Sequence, residues 1–203
     1  MLEHLAHPQV LADLIRMGSD NLRGVPEREP DNQQERLITT GWVTGFVDGE
    51  GCFSIGLTRQ PDRVNRKGYL TGFQVSHDFV VTQGAKSVHV LYELQEFFGV
   101  GRVNVNSRHD NHREHLYRYS VCRRADLLNV VIPFFRRYPL RSAKQRDFES
   151  FARCVELMVD QQHTSIAGLI EIVEIMQTMN RQKPRDVELR ILRDHTSDVR
   201  DIG

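Results

Sequence analysis

Residues 41–51 read GWVTGFVDGEG and lead directly into the alternating run Cys52-Phe53-Ser54-Ile55-Gly56-Leu57. Gly41, Gly45 and Gly49 recur at four-residue spacing, which on a helix brings them close to one face. A strip without side chains lets a second helix approach backbone to backbone. The same stretch sets Asp48 and Glu50 at the helix C-terminus, where the macrodipole is already negative and a carboxylate costs stability. Acids in that place call for something positive nearby, and a hard divalent cation with oxygen ligands is the simplest candidate.

The rest of the chain is read outward from that stretch. At 203 residues there is room for one domain with a real core and some appendages. No apolar run approaches the roughly 18 residues of a membrane span, and MLEHLAHPQV lacks the basic and apolar regions of a signal peptide. The expectation is a soluble, intracellular protein without a membrane partner, in a prokaryotic cytoplasm or an organelle matrix. Cys52, Cys122 and Cys154 are odd in number and lack CxxC spacing, so they are expected to be reduced, buried and inert.

Formal net charge is zero, yet the charge is unevenly placed: −3 over residues 1–40, −2 over 41–52, +5 over 53–124, +3 over 125–153 and −3 over 154–203. A basic middle flanked by acidic ends is the distribution of a chain whose central surface tracks phosphates.

In order, residues 1–36 form an extension ending in the polar run GVPEREPDNQQER, which reads as a linker, and Thr39 or Thr40 is positioned to cap the glycine-striped helix. A strand over 53–58, the polar loop RQPDRVNRKG and a long alternating run over 69–82 come next. Ser87 to Phe98 has a helical apolar stripe ended by Gly99-Val100-Gly101. A second strand pair covers 102–107 and 116–122, and helices are predicted over 125–135, 143–158 and 166–179. The order is αββαββα with extra C-terminal helices: an α+β domain over 37–183 and a tail over 184–203, built on an antiparallel, saddle-shaped sheet. Alternation puts Phe73, Val75, His77, Phe79 and Val81 on one face of the sheet. Ser54, Thr58, Gln74, Ser76, Asp78, Asn104, Asn106 and Arg118 fall on the other. Such side chains can read base edges, and strands can enter the major groove.

The nonapeptide VTGFVDGEG, Val43 to Gly51, resembles the signature of the LAGLIDADG homing endonucleases, DNA-cutting enzymes encoded in mobile introns and inteins. It keeps both acids, the helix-packing glycines, the closing glycine and the strand after it, and the resemblance runs from about residue 38 to 180. It implies the same αββαββα fold. It further implies a site-specific double-strand DNA endonuclease, hydrolysing phosphodiester bonds at a long pseudo-palindromic target. Single-motif members act as C₂ homodimers, and the dimer interface would lie on Gly41, Trp42, Gly45, Phe46 and Asp48. Ile166-Ala167-Gly168-Leu169-Ile170-Glu171 begins like a second motif but lacks the acid-glycine pair, so the dimer reading stands.

By the same resemblance, Glu50 and the Gly49 carbonyl would hold catalytic Mg²⁺, with Mn²⁺ as a substitute and Ca²⁺ supporting binding without cleavage. Asp48 mainly fixes the helix end. Gln83 falls where a polar residue of the family orients the attacking water, and Lys144 near the family's active-site lysine, with Arg141 the neighbouring candidate. The basic residue often found just after the Gln83 position is Ser87 here, with Lys86 beside it. Expected DNA contacts are the polar sheet face together with Arg59, Arg66, Lys67 and Arg102.

Two other readings compete. His109, His112 and His115 could suggest zinc or an HNH-type nuclease, but they lack the spacing of a defined zinc site. An RNA-splicing maturase with intron RNA as partner, or a DNA-binding regulator that does not cut, would use the same scaffold. With no splicing-domain sequence beside the motif, an intron-encoded enzyme is expected rather than an intein.

Overall fold

The computed structural model describes residues 32–60, 71–106, 115–179 and 184–200. The chain divides into two units, Met1–Ile38 and Thr39–Gly203. Of the first, only the opening turns of one helix are described; the second holds the sheet, the core and the remaining helices.

Helix α1, Asn32–Glu50, starts seven residues before the expected cap at Thr39. The run Asn32-Gln33-Gln34-Glu35-Arg36, read as part of a linker, is rich in good helix formers and joins the helix. Within this helix Thr44 Oγ1 turns back and donates to the Thr40 carbonyl at 2.8 Å. Residues 1–31 lie outside the described residues, as do Arg66, Lys67, His109 and His112.

Strand β1, Gly51–Arg59, begins without a connecting loop. Gly51 makes this possible: a Cβ there would sit 2.6 Å from Val47 Cγ1 and 2.7 Å from the Val47 carbonyl. Then come β2 (Phe73–Gly84), helix α2 (His89–Phe98), β3 (Arg102–Asn106) and β4 (Leu116–Val121). Gly99 closes α2 in the left-handed conformation (φ 65°). The four strands form one antiparallel sheet in the order β1-β2-β4-β3.

A long helix α3 comes after the sheet, built from Arg124–Asp126, a π-helical stretch Leu127–Val131, and Ile132–Arg137. Pro133 lacks the N–H that would bond back to residue 129, and the widened turn falls directly before it. Helix α4 (Lys144–Val159), α5 (Ile166–Thr178) and α6 (Asp186–Arg200) complete the chain. The order αββαββα plus C-terminal helices is thus what the chain builds, and the segment expected as a tail carries α6.

The core lies between the apolar sheet face and the helices. The Phe53 ring lies 5.0 Å from Phe79, 5.2 Å from Phe148, 5.5 Å from Phe151 and 5.6 Å from Phe135, so one side chain joins β1 to β2, α3 and α4. Helix α4 is buried on several sides, with Phe148 and Phe151 toward the sheet and Cys154, Val155 and Met158 also covered. Leu169, Ile172 and Val173 of α5 and Leu189 and Leu192 of α6 extend the same core, so the motif-like Ile166–Glu171 segment is a packing helix.

Two expectations about cysteine are corrected. Only Cys154 is buried; Cys52 and Cys122 are exposed. Cys52 pairs with Val80 on the open side of the sheet, and Cys122 comes directly after the end of β4.

Candidate active site

The two acids of α1 part company at the helix end. Glu50 is exposed, and its carboxylate is left to solvent on the rim of the sheet. Asp48 instead turns to the segment that opens α4: its carboxylate accepts from the Arg141 N–H (3.0 Å), the Ser142 N–H (3.1 Å) and the Ser142 hydroxyl (2.5 Å). Those amides precede the first turn of α4, the positive end of that helix. Burial alone would push the Asp48 carboxyl up. The Ser142 hydroxyl, the two amides and the Lys144 charge outweigh it and hold the group below its ordinary 3.8. The positive partner of Asp48 is therefore protein, not the cation that the sequence alone suggested for both acids.

Lys144 supplies the reciprocal contact. Its ammonium donates to the Val47 carbonyl at 3.1 Å and the Gly49 carbonyl at 3.2 Å, two of the acceptors that end α1. Desolvation pushes its pKa down from 10.5, while the charges of Asp48, Cys52 and Glu50 pull it back up. Arg141 reaches this junction through its backbone N–H, and its side chain is exposed. Gln83 lies on β2 two residues beyond Val81, the register partner of Gly51, so its amide belongs to the same end of the sheet as Glu50. The structure thus gathers Glu50, Gly49, Asp48 and Lys144 at one helix end, with Gln83 at the same end of the sheet by register.

Among the described residues, no group of three or more His, Cys, Asp or Glu side chains converges as a metal site. The chain offers the exposed Glu50 carboxylate and the Gly49 carbonyl, which keeps a second lone pair beside its bond to Lys144. That sparse oxygen set fits Mg²⁺, which takes one or two carboxylates and leaves its other positions to water and phosphate. It does not fit zinc.

The sheet face turned away from the core is open. Its register rows are Ser54–Asp78, Thr58–Gln74, Thr82–Arg118–Asn104 and Ser120–Arg102. Thr58, Gln74, Ser76, Arg102 and Asn104 are exposed. Arg59 departs from the set: it pairs with Phe73 and so has the parity of the core face, exposed only because β1 ends there. Thr82 and Ser120 belong to this face as well, although neither was among the expected contacts; continuing the alternation past Val80 on β2 and past Arg118 on β4 would have found them. Asp78 and Arg118, expected as separate base contacts, are joined by an ion pair of 2.9 Å.

On the outside of α1, nothing lies within 4 Å of where a Cβ would stand on Gly41, Gly45 or Gly49. Trp42 and Phe46 stack beside that strip with ring centroids 5.3 Å apart, and Trp42 is 38% exposed. Asp48, placed with the interface residues by the resemblance, accepts from Arg141 and Ser142 of the same chain.

A helix ending in two carboxylates, joined directly to an antiparallel sheet with an open polar face, is the arrangement of this α+β domain. The chain belongs to the LAGLIDADG endonuclease family, whose profile matches residues 43–155. It is 31% identical over 146 residues to the probable intron-encoded endonuclease 3 of Neurospora crassa, covering 71% of this chain and 25% of that protein. Among solved structures it resembles the homing endonuclease I-TnaI, at 36% identity and a TM-score of 0.62 over 76% of this chain and 96% of that one. It also resembles I-SmaMI bound to an uncleaved DNA target in the presence of calcium ions, at 27% identity and a TM-score of 0.63, over 73% and 47% of the two chains. The chain spans about a quarter of the length of the first curated relatives it matches.

Proposed function

We propose that the protein is a site-specific double-strand DNA endonuclease of an intron-encoded, homing type, acting as a C₂ homodimer on a long, nearly palindromic site. The observation that carries this reading is the helix end itself. An exposed Glu50 carboxylate stands beside a half-buried ammonium, Lys144, at the rim of an open polar sheet. Hydrolysis of a phosphodiester requires positive charge on the phosphate, an oriented water and a stabilised leaving 3′-oxygen.

Glu50 and the Gly49 carbonyl would hold Mg²⁺, which supplies positive charge to the scissile phosphate and the departing oxygen; Mn²⁺ would substitute, and Ca²⁺ would support binding without cutting. Lys144, fixed by two carbonyls of α1, points its charge to the same place. Gln83 holds a water by its amide. Asp48 keeps α4, and Lys144 with it, docked on the helix end.

The dimer reading is supported by the bare strip Gly41, Gly45 and Gly49 with Trp42 and Phe46 alongside, a surface on which a second copy of α1 can lie backbone to backbone. Two-fold packing there would set one Glu50 at each of two scissile strands.

Glu50→Gln tests the enzyme directly. Cleavage of the target disappears while binding of the same DNA persists. Cleavage at the unaltered rate would place the chemistry elsewhere.

A further inference from the structure

Arg118 of β4 and Asp78 of β2 share the open face, but they are not neighbours in register. Arg118 stands opposite Thr82, and Asp78 lies four residues further along β2, opposite Ser54 of β1. At about 3.3 Å per residue that offset is roughly 13 Å along the strand, far more than the roughly 5 Å between directly opposed residues. Nevertheless the guanidinium Nη2 donates to Asp78 Oδ2 at 2.9 Å. Arg118 must therefore lie extended along the sheet, across the Val80–Ser120 pair that separates the two positions.

Holding so long a side chain in one geometry is not explained by stability, because an ion pair with side chains 40% and 34% exposed contributes little. The arrangement makes sense if the direction of the arginine is what matters. We propose, resting on the DNA-endonuclease reading above, that Asp78 is a positioning residue. It draws Arg118 across the two inner strands so that the guanidinium's remaining N–H groups meet the edge of a guanine in the major groove.

Guanine fits better than phosphate for two reasons. β2 and β4 are the inner strands of the sheet, and side chains at the middle of a groove-filling sheet face bases, whereas edge strands and loops lie nearer the backbone. A carboxylate 2.9 Å from the guanidinium also repels phosphate, while a base edge is uncharged. The planar fork of arginine matches the O6 and N7 acceptors of guanine; the Nε–H of Arg118 is buried, so the N–H groups left for that contact are those on Nη1 and the second one on Nη2. The Asp78 backbone carbonyl receives the Ser54 hydroxyl at 3.4 Å, tying β1 to the same point.

The test is selection of double-stranded DNA from a randomised library in Ca²⁺, followed by binding titrations on the selected site with each base substituted in turn. The proteins are the full chain and its Asp78→Asn and Arg118→Ala variants, with thermal midpoints checked alongside. The unaltered protein selects guanine at one position in each half-site. Arg118→Ala abolishes the preference there and nowhere else. Asp78→Asn lowers discrimination at that same position by about tenfold, within the range of one bidentate base contact, and leaves other positions unchanged.

Two results overturn the proposal alone: Asp78→Asn leaving every base preference intact, or Arg118→Ala weakening all sequences equally with a shallower salt dependence, the mark of a phosphate contact. Failure of the unaltered protein to select any sequence overturns the endonuclease reading as well.

Discussion

Asp48 and Ser142 lie 94 residues apart, and the carboxylate of the first accepts both the backbone N–H (3.1 Å) and the hydroxyl of the second. Lys144, two residues on, returns the contact by donating to the carbonyls of Val47 and Gly49. The negative end of α1 and the positive end of α4 are thus cross-capped, each helix supplying the charge that the other terminus requires. The candidate active site is built on this junction.

Asp48→Asn removes the charge from that junction and keeps its shape. Hydrogen bonds to a charged group contribute more than neutral ones, and the partial exposure of these puts the expected loss at about 1 kcal/mol. The folded pKa of Asp48 is depressed, so its contribution is full above 3.8 and is lost as pH falls through the folded value. Urea unfolding at pH 7 shows the variant less stable, and the difference closes in acid.

Lys144→Gln leaves a donor but no charge. If the ammonium acts on the scissile phosphate, cleavage falls by about 100-fold or more, the scale of losing one preorganised electrostatic group. Binding of DNA in Ca²⁺ changes by only a few-fold. Equal losses in both assays would reduce Lys144 to a packing or backbone contact.

Gly45→Leu separates the fold of the protomer from its association. No atom stands within 4 Å of a Cβ at this position, and leucine is a better helix former than glycine. The variant folds, with unchanged far-ultraviolet dichroism, yet sediments as a single copy where the parent sediments as two. Retention of the dimer would move the interface away from the glycine strip.

His77, on the core side of β2, is half-buried. Desolvation and the Arg124 guanidinium push its pKa below the ordinary 6.5, against a weaker pull from Asp78. The unfolded chain therefore binds this proton more readily, so stability is full above pH 6.5 and declines as pH drops toward the folded value. Denaturant midpoints at pH 7.5 and 5.5 should differ, and His77→Gln should narrow the gap.

The strands, the two sheet faces and the helix order were legible because period-two and helical patterns are written locally: Phe73, Phe79 and Val81 face inward as their alternation requires. Glu50 and Lys144 were reached through the resemblance, and their meeting at one helix end is a tertiary fact. The division of labour between Asp48 and Glu50 came through the resemblance; what could not be read was the partner that fixes Asp48. The two acids are two residues apart and share one helix end, and Arg141 and Ser142 reach Asp48 from a distant segment. The early start of α1 was hidden by Pro and acid residues just upstream, which made a helix-forming run look like linker. The Asp78–Arg118 pair was hidden because its partners are offset in register. Exposure of Cys52 comes from its parity and was masked by the usual burial of cysteine.

The most direct measurement is cleavage of a randomised double-stranded DNA library by the purified protein in Mg²⁺, with Ca²⁺ as the binding control and Glu50→Gln in parallel. Recovery of one long, nearly palindromic sequence, cut in Mg²⁺, bound uncut in Ca²⁺ and left intact by the variant, is the predicted result. Binding without cutting in both ions, or cutting that survives the loss of Glu50, would contradict it.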